Sequence, residues 1–279
     1  MSSLGIWAVG TLPRAPSLAT RAEARGVLAL TLLLVAIPLA GQQPSPPPAS
    51  EAEAQPIVRA DDIRQKVTMG LYLGQGGALD INLRHQFGST KDPHWGFIWL
   101  GSFRERYGTE QTRLGGELDW SPRNSLLLQE TVQVATHHAL TGAIYSEIGD
   151  PYYAIAGFQR TNGHPFTDLF FDPNDAGMIG GGVRLNNYDR VYAISIFDVR
   201  YHTSQQDTHV LWRRKLDAHD GLTVDLLYKS GRGDSGRTIR AAGIGLYFDR
   251  PTWFAKAYYD PHVNFSEHTM VRIGMGKKF

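Results

Sequence analysis

Residues 269–279 read TMVRIGMGKKF, with Val271, Ile273, Met275 and the last residue, Phe279, set at alternating positions against Arg272, Gly274, Gly276 and Lys278. Alternation with a period of two predicts a strand with one apolar and one polar face. A strand so patterned needs a partner for its backbone and a medium for its apolar face.

Upstream of this strand, tight polar turns recur at FDRP (248–251), AHDG (218–221), NYDR (187–190), IGDP (148–151), SPRN (121–124) and GSTKDPH (88–94). Each carries the Asp, Asn, Gly or Pro that chain reversal favours. Between them lie second breaks, often longer, at 75–77, 107–111, 137–141, 162–177, 204–207, 230–236 and 264–267. Short turns alternating with longer loops predict seven consecutive antiparallel hairpins and hence 14 strands. If 138–161 is instead part of one long loop, the number is 12.

The faces of nine of these segments separate by charge. One face carries sets such as Leu79, Ile81, Leu83; Trp95, Phe97, Trp99; Val210, Trp212; and Ile244, Leu246, Phe248, with only Arg214 and Lys277 as charges. The other carries Asp80, Arg84, Arg113, Glu117, Asp119, Asp198, Arg200, Arg213, Lys215, Asp217, Asp225, Lys229, Lys256, Asp260 and Arg272, together with many glycines. A soluble barrel or sandwich would also alternate. Here the charged face holds small residues, and the strands reach the roughly 9–11 residues that span a bilayer. In lipid every backbone group must be paired, so a spanning sheet has to close on itself. The reading is an all-β, transmembrane, antiparallel up-and-down barrel with its apolar face toward lipid and its charged face lining a lumen. Trp95, Trp120, Trp253, Tyr72, Tyr188, Tyr201 and Tyr259 near strand ends fit interfacial girdles.

The N-terminal region predicts export. Arg14, Arg21 and Arg25 precede the apolar run Val27–Ala40, which is short for a spanning helix but fits the hydrophobic core of a signal peptide over 1–41. A Pro-rich linker over 42–65 leads to the barrel at 66–279. Removing 1–41 takes three basic residues and Glu23 from 28 Lys+Arg and 27 Asp+Glu, leaving 25 against 26. That balance gives no reason to expect a nucleic-acid partner. With no cysteine in the chain, disulfides are not a source of stability.

The closing run TMVRIGMGKKF resembles the C-terminal signature of bacterial outer-membrane β-barrel proteins, with Val271, Ile273, Met275 and Phe279 as its apolar and aromatic positions; Lys277 departs from it. The resemblance implies a place in the bacterial outer membrane, among its lipid and lipopolysaccharide, and recognition of the terminal strand by the barrel-assembly machinery. It also implies a periplasmic C-terminus, with the last strand pairing the first near Val67–Leu73.

Three functions fit such a barrel: a porin-like channel for small polar solutes with weak charge selectivity, a lipid-acting enzyme of the phospholipase or deacylase type, or a structural or docking barrel with a filled lumen and a protein partner. The enzyme reading rests on His202 and Ser204 in RYHTSQQ, a His-x-Ser pair like that of outer-membrane lipid hydrolases. Strand phase sets both on the lumen side, away from lipid. Asp172, Asn174 and Asp175 supply oxygen ligands without the spacing of a Ca²⁺ loop, so neither metal nor cofactor is expected. GRGDS (231–235) and His137-His138 read as ordinary loop residues. The near balance of inward charge and the 162–177 loop together predict a channel of little ion preference with that loop as its constriction.

Overall fold

The computed structural model describes residues 64–279 except 75–76, 90–91, 107, 109, 124, 165–172, 174 and 217–219. The expected signal peptide and nearly all of the linker lie outside the described residues. Fourteen strands follow one another: β1 (Gln65–Leu73), β2 (Ala78–Phe87), β3 (His94–Glu105), β4 (Glu110–Arg123), β5 (Leu126–Ala135), β6 (Ala139–Ile148) and β7 (Tyr152–Thr161). The second half is β8 (Ala176–Arg184), β9 (Asp189–Asp198), β10 (Gln206–Lys215), β11 (Gly221–Arg232), β12 (Thr238–Asp249), β13 (Trp253–Asp260) and β14 (Met270–Lys278).

Each strand pairs antiparallel with its sequence neighbour, and β14 returns to β1, so the sheet is a closed barrel. The closing register runs from Lys66 opposite Lys278 to Leu73 opposite Val271. Gln65 and Phe279 then exchange two backbone hydrogen bonds of 2.9 and 3.0 Å. That supplies the partner the terminal strand requires. Segment 138–161 forms β6, the turn and β7, which decides for 14 strands.

The outward face is apolar along its middle: Ile81, Leu83, Ile98, Leu100, Leu114, Leu118, Val132, Ile144, Ile179, Leu226 and Met275 are all exposed. In a membrane-spanning barrel that is the surface lipid covers. Exposed aromatics cluster at its two ends, Trp120, Tyr152, Tyr188 and Trp253 toward the short turns and Tyr201, Tyr228 and Tyr259 toward the long loops. One charge interrupts the band: Glu130, exposed in the middle of β5, faces out between Leu118 and Ile144.

Two expected placements are corrected. Trp95, Phe97 and Trp99 face the lumen, with Ile98 and Leu100 outward, because Phe97 lies opposite Glu117 and Trp99 opposite Arg84. Tyr72 also turns inward, reaching Asp80. In HWGFIWLGSF both faces of the strand are apolar, so alternation alone cannot choose between them; the register with charged neighbours does.

Lumen glycines serve these inward rings. A Cβ on Gly115 would meet the Trp99 indole, and one on Gly245 would meet the Tyr258 ring. Each ring therefore lies flat against the wall over a glycine of the adjoining strand. The glycines widen the lumen indirectly, by letting large side chains lie down.

Candidate functional site

The lumen is the site. In its loop half, β11 carries Lys229, which is 1% exposed, directly opposite Asp207 on β10. Its Nζ is 2.9 Å from Asp260 Oδ1 and 3.6 Å from Asp207 Oδ2, and Arg272 on β14 meets the other oxygen of Asp260. Buried charges persist when paired in this way. Beside this network lies a cavity of about 110 Å³, lined also by Tyr72, His209, Asp225, Lys256 and Tyr258. His209 Nδ1 stands 3.0 Å from both oxygens of Asp225.

The loop from β13 to β14 folds over this region. Its single 3₁₀ turn, Val263–Phe265, follows His262 in the left-handed region, and Asn264 and Phe265 adopt the same conformation. Val263 and Phe265 are thereby driven inward and buried, the latter completely. The Lys229 Nζ lies 5.5 Å from the centre of the Phe265 ring. Asp234 N–H donates to Phe265 O at 3.2 Å, and the Ser235 hydroxyl donates to Glu267, so the β11–β12 loop holds the β13–β14 loop in place. That bond holds the exposed Glu267 carboxyl below its ordinary pKa.

Along the rest of the wall, polar side chains link neighbouring strands. Arg113 reaches across β3 at Gly101 to Asp80, which also accepts from Asn82 at 2.9 Å. Trp99 Nε1 donates to Gln133 at 2.6 Å. Glu147 accepts from the Tyr145 hydroxyl at 2.7 Å, from Arg190 at 3.1 Å and from Arg184 at 3.3 Å. Tyr153, Ile155, Ala176, Met178, Tyr192 and Ile196 pack beside these groups as a buried cluster on β7, β8 and β9.

Most of the expected lumen residues sit on inward positions of their strands, and three qualifications apply. Asp217 lies outside the described residues. Asp198 closes β9, and its carboxylate accepts from the N–H groups of Arg200, Tyr201 and Thr203 and the hydroxyl of Thr203. Arg200 is a loop residue, 3.2 Å from Asp175. Reading the sequence missed Lys66, Glu147, Arg184, Arg190, Asp207 and His209. Period-two phase would have found Asp207 and His209, but in β6–β9 apolar residues occupy both faces and hide it.

The other candidates are dispersed. His202 and Ser204 are exposed on the 199–205 loop, beyond the end of β9, and no hydrogen bond joins them among the described residues. Asp172 and Asn174 are outside the described residues, while Asp175 is buried and accepts from Thr161 N–H and hydroxyl, both at 2.9 Å, as well as pairing Arg200. His138 stacks edgewise on His164 at 6.5 Å, and no metal-binding group of three ligands occurs among the described residues. Much of 162–177, the expected constriction, also lies outside the described residues; the described inward loop is the one carrying Phe265.

No family model matches this sequence, and no curated protein matches it. Among solved structures, the Acinetobacter baumannii outer membrane protein Omp33 superposes with a TM-score of 0.50 at 6% identity, over 79% of this chain and 100% of that one. A mutant of the Rh. blastica porin gives 0.41 at 10% identity, over 78% and 99%. At 6% identity the likeness to Omp33 shows the fold alone, a closed antiparallel β-barrel.

Proposed function

We propose that this chain is an outer-membrane channel that passes small polar solutes through a hydrated lumen narrowed at its loop end. The observation that carries the reading is the direction in which the lumen charges pair. Arg113 with Asp80, Lys229 with Asp207 and Asp260, Arg272 with Asp260, and Arg184 and Arg190 with Glu147 all join strands no more than three apart around the ring. In a ring of 14 the far wall is seven strands away. Side chains that pair along the wall leave the axis to water. Barrels of about 8 strands are filled by their own side chains and those of 16–18 hold an aqueous channel; 14 is nearer the open case.

The test is reconstitution of the protein in planar bilayers, where discrete conductance is expected. Deleting residues 164–175 should raise it if that loop also enters the lumen. A silent bilayer from both intact and deleted protein overturns conduction and favours a structural or docking barrel, the reading to which the buried cluster around Ile155 and Met178 lends support. Surface exposure of tags in 231–235, with tags at 189 hidden on intact cells, tests the orientation.

A further inference from the structure

The turn end of the lumen carries two rows of cations set by strand register. Arg84, Lys66 and Lys278 stand directly opposite one another on β2, β1 and β14. Arg184, Arg190 and Arg213 do the same on β8, β9 and β10. Like charges directly opposite on antiparallel strands are destabilising, and here four such pairs occur on one face. A charge balance taken over the whole lumen conceals this grouping.

Among the described residues, the carboxylates at this end pair with three of these six cations. Asp249 takes Lys278, and Glu147 takes Arg184 and Arg190. Glu117 accepts from Thr131 at 3.1 Å, and Asp119 accepts from Gln129. Lys66 and Arg84 are within electrostatic reach of carboxylates, the first of Asp249 and the second of Glu117 and Asp119. Among the described residues, however, Lys66, Arg84 and Arg213 form neither hydrogen bond nor ion pair. They rest on rings instead: Lys66 Nζ 4.0 Å from the centre of Phe254, the Arg84 guanidinium 3.0 Å from that of Phe97, and the Arg213 guanidinium 5.3 Å from that of Tyr192. A ring face holds a cation without consuming its N–H donors.

Resting on the conduction reading, we infer that Lys66, Arg84 and Arg213 form an anion-selecting collar that binds small solutes bearing carboxylate or phosphate oxygens as they pass. Guanidinium forks match both groups, two N–H donors to two oxygens. The six cations named at this end outnumber its four named carboxylates, and an excess of one sign concentrates the opposite ion.

The test compares the intact protein with a variant carrying Lys66→Gln, Arg84→Gln and Arg213→Gln, both shown to be folded by heat-modifiable gel mobility. In planar bilayers under a KCl gradient, the intact protein should reverse on the chloride-permeable side and the variant should shift toward zero. Cation preference in the intact protein, or unchanged anion preference in the variant, overturns the collar. If the bilayer is silent the conduction reading falls, and calorimetric titration of the detergent-folded barrel with citrate decides the collar separately. Saturable binding lost in the variant supports it; no binding by the intact protein overturns it.

Discussion

The ring of Phe265 is wholly buried above Lys229, with the ammonium nitrogen 5.5 Å from the ring centre. A loop aromatic thus closes over a buried cation that two carboxylates neutralise, so lid and charge network form one unit at the loop end. Phe265→Ala removes the ring while leaving the strands untouched. Single-channel conductance should rise in the variant; an unchanged conductance would place the narrowest point elsewhere.

Lys229→Met leaves Asp207 and Asp260 facing one another without the cation between them. Losing one partner of a buried pair costs about 3–5 kcal/mol. The urea midpoint of the detergent-folded barrel should fall accordingly, and adding Asp207→Asn should recover part of the loss. Equal midpoints for the single variant and the intact protein would mean that Arg272 and water, not Lys229, hold those carboxylates.

Gly115 and Gly116 are adjacent on β4 but face opposite ways. A side chain at 115 would displace the Trp99 indole, whereas one at 116 meets only ordinary contacts, 3.6 Å from Phe97 O and 3.7 Å from Ile98. Gly115→Val should cost about 1–3 kcal/mol through overpacking, and Gly116→Val, on the lipid face, much less. The comparison is made by urea titration monitored by gel mobility, and equal losses at the two sites would contradict the packing of Trp99 over Gly115.

Phe279 ends the strand that closes the ring, where its backbone pairs with Gln65 while its side chain stays exposed. Its deletion should reduce the yield of heat-modifiable barrel in outer membranes through slower assembly, with little change in the stability of the fraction that folds. Wild-type yield from the truncated chain would show that the assembly machinery does not read this residue.

Although only β6 and β7 decide for 14 strands over 12, the hairpin repeat and the lipid-facing side of most strands were legible in the sequence. Each follows from a local rule: turn residues mark reversals, and period two separates faces wherever one face is charged. Alternation in TMVRIGMGKKF needed no knowledge of the rest of the chain. The inward glycines were visible too, but not the rings they receive.

Tertiary structure decided what local pattern cannot encode. β3 presents apolar residues on both faces, so only its register with Arg84 and Glu117 turns Phe97 and Trp99 into the lumen. The meeting of Lys229 with Asp260, and of Phe265 with Lys229, depends on strands and loops brought together by closure of the ring. Whether Lys66 stands beside Arg84 and Lys278 likewise depends on which residues two strands place opposite one another, and a slip of one residue would turn each onto the other face. The sequence by itself determined an amphipathic antiparallel sheet, because turn chemistry and face polarity act residue by residue; the sites inside it arise only from register and closure, which belong to the whole barrel.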